Sequence, residues 1–176
     1  MGNIDMIVVC SYCRKQIEEK EPYEDKRQSH SICPVCYDYH VPQLLGKNLS
    51  QHLDKQDSPA IIMDEDGRVV GVNQAMLSFL GKRKEEVLGL LGGEMMGCRY
   101  SRLNESCGKT LHCATCSIRN TMNQSRTSKA DLENVVVTLD RDEVRLHFRV
   151  SAFHREDFTK LVVHETFNTE PLDPTV

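Results

Sequence analysis

The chain has 176 residues, 26 acidic and 22 basic side chains, a net charge of −4 and 39% hydrophobic residues. That length suffices for one medium domain plus a small module, and the negative balance excludes a global basic field that would attract nucleic acid or acidic lipid. No apolar run approaches the ~18 residues needed to span a membrane, and MGNIDMIVVC lacks the basic start and long apolar stretch of a secretory signal, so a cytoplasmic location is expected.

Taken in order, residues 1–41 are polar and rich in cysteine. Cys10-x2-Cys13 and Cys33-x2-Cys36 stand nineteen residues apart, the spacing of a four-thiolate zinc knuckle or ribbon. About forty residues bury too little surface to fold unaided, so metal binding is expected to supply the stability. In a reducing compartment thiols stay free, which favours ligation over disulfides. Arg14 and Tyr37 follow the two pairs where c-type haem attachment requires His. His30 reads as a polar surface residue or a support for the ligands. The segment 1–40 carries five basic and seven acidic residues, the wrong sign for a nucleic-acid finger.

Residues 42–57 read as a connector helix with Pro42 in its first turn and a stripe of Leu45, Leu49 and Leu53. That stripe has no evident partner in the sequence, so the helix is the expected contact surface for a protein partner or a second copy.

From residue 58 to 168 the pattern is that of an α+β domain with an antiparallel sheet. Ala60–Met63 and Val69–Val72 flank the turn Asp64-Glu65-Asp66-Gly67, a hairpin signal. Asn73 is placed to cap a helix through Leu80, closed by Gly81, and a short helix follows near Lys84–Leu88. Val135–Leu139 forms a strand. Val144, Leu146, Phe148, Val150 and Ala152 then alternate with polar residues, the period of a half-buried strand. His154–Asp157 is expected to turn, Leu161–Val163 to start the last strand, and the tail from Asn168, residues 169–176 above all, to be loose.

The second quartet, Cys98, Cys107, Cys113 and Cys116, falls within nineteen positions of this domain. From Glu94 to Lys129 six basic residues face two acidic ones, which offsets the charge of bound thiolates. Three identities compete: zinc, an iron–sulfur cluster suggested by a run one residue longer than C-x4-C-x2-C, and free thiols that sense oxidation. His112, beside Cys113, reads as a hydrogen-bonding or surface residue. Met63, Met76, Met95, Met96 and Met122 are expected to fill core or pocket gaps. No catalytic residues are assigned, because no nucleophile motif or phosphate-cradling loop occurs.

The stretch DSPAIIMDEDGRVVGVNQAMLSFLGKRKEEVLG, residues 57–89, resembles the opening of a PAS domain. The Gly97-Cys98, Cys107-Gly108 and Cys113-x2-Cys116 elements resemble a Cys-rich insertion in a subgroup of PAS domains of bacterial signalling proteins. VVCSYC and SHSICPVC resemble a small zinc-binding motif found beside such domains. The resemblance implies a five-stranded antiparallel sheet with flanking helices, a cavity open to a small ligand, and a non-enzymatic sensory role in signal transduction through a partner or homodimer. A structural zinc-binding adaptor and a zinc-ribbon nucleic-acid-binding regulator are the alternatives.

Overall fold

A computed structural model of the chain describes residues 6–20, 28–44, 48–103 and 106–172. It divides into two compact units, 1–48 and 49–176. No described helix is long and apolar enough to cross a membrane.

In the first unit, β1 (Met6–Cys10) pairs antiparallel with β2 (Gln16–Lys20) and parallel with β3 (Ser29–Ser31), giving the order β2-β1-β3. The β1–β2 turn closes through Cys10 N–H to Lys15 O at 2.8 Å and Arg14 N–H to Cys10 O at 3.0 Å, with Arg14 at φ 60°. Helix α1 (Pro34–Leu44) follows β3. Its first position is Pro34, where a missing N–H costs nothing. Pro42, expected in the first turn of a separate helix, lies instead inside α1.

The second unit opens with α2 (Leu49–Leu53), β4 (Ala60–Asp64), β5 (Val69–Val72), α3 (Gln74–Leu80) and α4 (Gly92–Met96). It continues through α5 (Ser117–Ser128), β6 (Leu132–Arg141), β7 (Val144–Arg155) and β8 (Phe158–Pro171). The five strands run β5-β4-β8-β7-β6, with every neighbouring pair antiparallel. The last strand therefore enters between the early hairpin and the β6–β7 hairpin, closing both ends of this unit into one sheet. Ile61, Met63, Val72, Met76, Phe148, Val150, Leu161 and Val163 lie at the centre of its core.

The leucine stripe departs from expectation. Leu45 lies outside the described residues, whereas Leu49 and Leu53 are 9% and 0% exposed. They lie over Gly71 of β5, where a Cβ would meet Leu49 Cγ and Cδ2 at 2.9 Å and Leu53 Cδ1 at 3.3 Å. Ser50 Oγ accepts the Val72 N–H at 3.2 Å. The absent side chain at Gly71 lets the helix settle on the strand, so these leucines are core and do not form an open contact surface. The C-terminal end departs too. Asn168–Pro171 continue β8, paired with Val144–His147, and Phe158–Lys160 already belong to that strand. Pro171 lies at the final rung, where a missing N–H is tolerated, and residues 173–176 of the expected loose tail lie outside the described residues.

Asn73 locks the early hairpin to its helix. Its Oδ1 accepts the Met76 N–H as an N-cap and the Ala60 N–H, both at 2.9 Å, while Nδ2 donates to Gln56 O at 3.1 Å and Ser58 O at 2.9 Å. It is fully buried. Asn73→Ala removes the cap and takes the partner from two buried N–H groups and two half-buried carbonyls, so urea unfolding should show a loss of roughly 2–4 kcal/mol. A loss under about 0.5 kcal/mol, the range of surface substitutions, would contradict the role given to this side chain.

Candidate functional site

The first quartet is assembled by the turns of the small unit. Cys10 ends β1, Cys13 lies in the β1–β2 turn, Cys33 follows β3, and Cys36 lies in the first turn of α1. All four Sγ atoms lie within 4.8 Å of one another, and Cys10, Cys33 and Cys36 are buried. Cys13 and Cys33 are 3.8 Å apart. A tetrahedral ion with 2.3 Å metal–sulfur bonds sets sulfur–sulfur edges of about 3.8 Å. The donor set and spacing thus fit a single tetrahedral ion. His30 is exposed on β3 and outside this cluster.

The protonation of the four is uneven. Burial raises Cys10, but N–H groups of Cys33, Cys13 and Tyr12 donate to its sulfur and outweigh it, bringing the thiol down to about 6. The Cys33 N–H contact measures 3.4 Å. Burial pushes Cys13 and Cys36 up, and for Cys36 the neighbouring thiols add to the rise.

In the second unit a cavity of about 600 Å³ lies between the sheet and the helices α4 and α5. Met63, Met95, Met96 and Met122 line it as expected, with Phe148 and Leu161. Cys98, Cys107, Cys113 and Cys116 all reach the same wall. They are not drawn together as tightly as the first set. Among the described residues, the first quartet is the one group of three or more His, Cys, Asp or Glu gathered within 4.8 Å.

Local structure sets each of these thiols. Gly97 closes α4 at φ 75°, which turns the chain into Cys98. Gly93 makes room for Cys107: a Cβ there would lie 2.6 Å from Cys107 Sγ and 3.5 Å from Cys98 Cβ. Cys113 accepts from the Gly108 N–H at 3.1 Å and contacts the Thr110 hydroxyl at 3.2 Å. Cys116 is the N-cap of α5. Burial raises Cys98 and Cys107, with the other thiols adding to it. Burial also acts upward on Cys113, yet the Thr110 and Gly108 donors and the Arg119 charge bring it below its usual value.

Two connections that the sequence did not reveal join this wall to the β6–β7 hairpin. Ser117, next to Cys116, accepts the Thr138 N–H on its Oγ at 2.7 Å. Tyr100, two residues after Cys98, donates to Asp140 Oδ2 at 3.1 Å, and Asp140 is held by Arg145 at 2.7 and 2.9 Å. Hydrogen bonding from Arg145 lowers the Asp140 carboxyl against the opposing effect of burial. His112 stacks on the Tyr100 ring with centroids 3.8 Å apart. A serine after a cysteine and an isolated tyrosine carry no sequence signal, because their partners are distant in the chain.

A family model described as the PAS fold matches residues 47–91, the segment from before α2 to Leu91. No curated protein matches the chain at a significant level. Among solved structures, the photo-excited blue-light photoreceptor Vivid is similar at 16% identity and a TM-score of 0.45, covering 61% of this chain and 78% of that one. The photoactive yellow protein domain from the sensor histidine kinase Ppr of Rhodospirillum centenum is similar at 15% identity and a TM-score of 0.40, covering 66% and 92%. A chain of the E. coli DhaR(N)–DhaL complex gives 16% identity and a TM-score of 0.43, covering 72% of this chain and 36% of that one. The matched segment and the five-stranded antiparallel order define the second unit as a PAS-like α+β fold.

Gly93→Ala should force Cys107 from its place, since overpacking of this kind costs about 1–3 kcal/mol. The expected result is a lower unfolding midpoint and faster alkylation of Cys107, read by mass spectrometry. Unchanged stability together with an unchanged alkylation rate would contradict the close approach.

Proposed function

We propose that this chain is a non-enzymatic sensory PAS protein with two metal sites, in which the cavity-wall cysteines respond and the small unit is held by zinc. One observation carries the reading: Cys98, Cys107, Cys113 and Cys116 share a single cavity wall, and their neighbours Ser117 and Tyr100 are bonded to the β6–β7 hairpin. A change in what the thiols hold shifts the segment Cys98–Cys116 and, through those two bonds, the hairpin. The altered sheet is then read by a protein partner or a second copy, in the cytoplasm. A small ligand in the rest of the cavity is compatible with this scheme.

The first site is structural. Zinc suits four sulfurs at tetrahedral spacing, three of them buried, and stabilises a unit too small for a sufficient core of its own. Zinc binding expels thiol protons, so its affinity rises with pH. At pH 5, below the value of about 6 to which Cys10 is held, affinity should fall more than tenfold from that at pH 8 in competition with a coloured chelator. A pH-independent affinity would rule out thiolate ligation.

The sensing role is tested by hydrogen exchange on the full chain. A Cys113→Ser/Cys116→Ser variant should exchange the Thr138 amide and its β6–β7 neighbours at least tenfold faster, equivalent to about 1.4 kcal/mol, while β4 and β5 stay protected. Unchanged exchange at Thr138 would favour the alternative of a structural zinc-binding adaptor, which the tighter closure of the first quartet supports. Salt-sensitive retention on DNA or RNA would favour the zinc-ribbon regulator.

A further inference from the structure

The two thiol sets stand at different spacings, and spacing is set by what the sulfurs must surround. Around one ion the edges are about 3.8 Å, and Cys13–Cys33 meets that value. Cys98, Cys107, Cys113 and Cys116 all line the cavity, but among the described residues no three of them gather within 4.8 Å. A cluster several atoms wide holds its cysteines farther apart than a single ion does.

The geometry points to an iron–sulfur cluster, not a lone zinc ion, as the group taken up by Cys98, Cys107, Cys113 and Cys116. This inference rests on the reading of those thiols as the responsive element and names their chemistry. Room for an inorganic core exists, since all four cysteines line the cavity of about 600 Å³. Gly93 leaves the approach to Cys107 free of a side chain.

Charge fits as well. Cys116 caps the twelve-residue helix α5, whose N-terminal end carries positive potential. Arg119 sits over Gly108 one turn into that helix. Donors are already aimed at the sulfurs: the Gly108 N–H and Thr110 hydroxyl at Cys113, the Gly93 N–H at Cys107, and the Tyr100 and Ser101 N–H groups at Cys98. Hydrogen bonds to thiolates draw off charge and set cluster potentials. Assembly exchanges the four thiol protons for four iron–sulfur bonds, with iron and sulfide supplied from outside.

The test uses the full chain prepared without oxygen, with iron, zinc and acid-labile sulfide measured beside the visible spectrum. The expected protein is brown, with iron and sulfide in equal amounts and one zinc. Cys113→Ser should lose iron and sulfide and keep zinc, and Cys36→Ser should do the reverse. Should the chain emerge colourless, anaerobic addition of ferrous iron and sulfide should restore colour to the natural sequence and not to Cys113→Ser. Two zincs without sulfide, or no uptake on reconstitution, would overturn the cluster. Two zincs with accelerated Thr138 exchange in the double variant would remove the cluster and leave the sensing role standing. A cluster with unchanged exchange would do the opposite.

Discussion

Four sulfurs confined within 4.8 Å of one another form an arrangement that their charges oppose. As thiolates they repel, and as thiols they are poor partners for one another in a dry setting. The first unit shows this conflict directly: hydrogen bonds bring Cys10 down, while burial drives Cys36 up. A divalent cation bound to all four sulfurs would relieve the conflict, offsetting two of the four negative charges and leaving a net −2. The turns that deliver the cysteines, including the left-handed Arg14, then have a reason to exist. Ile17, Ile32 and Val35 pack around the sulfurs beside the buried Val8 and Val9, and a unit of this size gains little stability from its core alone.

The second unit obeys a different constraint. Its sheet is backed by a large buried core, and the four cysteines line the cavity beside it. Their looser spacing, the glycine beneath them and the hydrogen bonds to Thr138 and Asp140 are parts of one arrangement. It ties the segment that carries the cavity cysteines to the long β6–β7 hairpin.

The most legible parts of the sequence were those governed by local rules. The β4–β5 hairpin, the Asn73 cap and the Gly81 stop occur where the residues place them, because each depends on neighbours within a few positions. The alternation in β7 was equally readable, being a direct record of one face in the core. The cysteine pairs gave the first cluster. Errors arose where the partner was distant in sequence. The leucines of α2 appeared unpartnered because Gly71, which receives them, is read in isolation as a weak strand residue. The polar run Asn168–Pro171 carries the composition of a loose tail, yet its backbone pairs with Val144–His147. Sulfur spacing in the second set was not readable at all, since cysteine intervals along the chain do not fix distances across a cavity.

If the two quartets hold different inorganic groups, zinc is confined to the tight one. X-ray absorption at the zinc edge on the full chain addresses it directly. The prediction is a single zinc environment of four sulfurs at about 2.3 Å, unaltered by Cys98→Ser and abolished by Cys10→Ser. Zinc bound by nitrogen or oxygen, or a zinc signal that diminishes with Cys98→Ser, would contradict it.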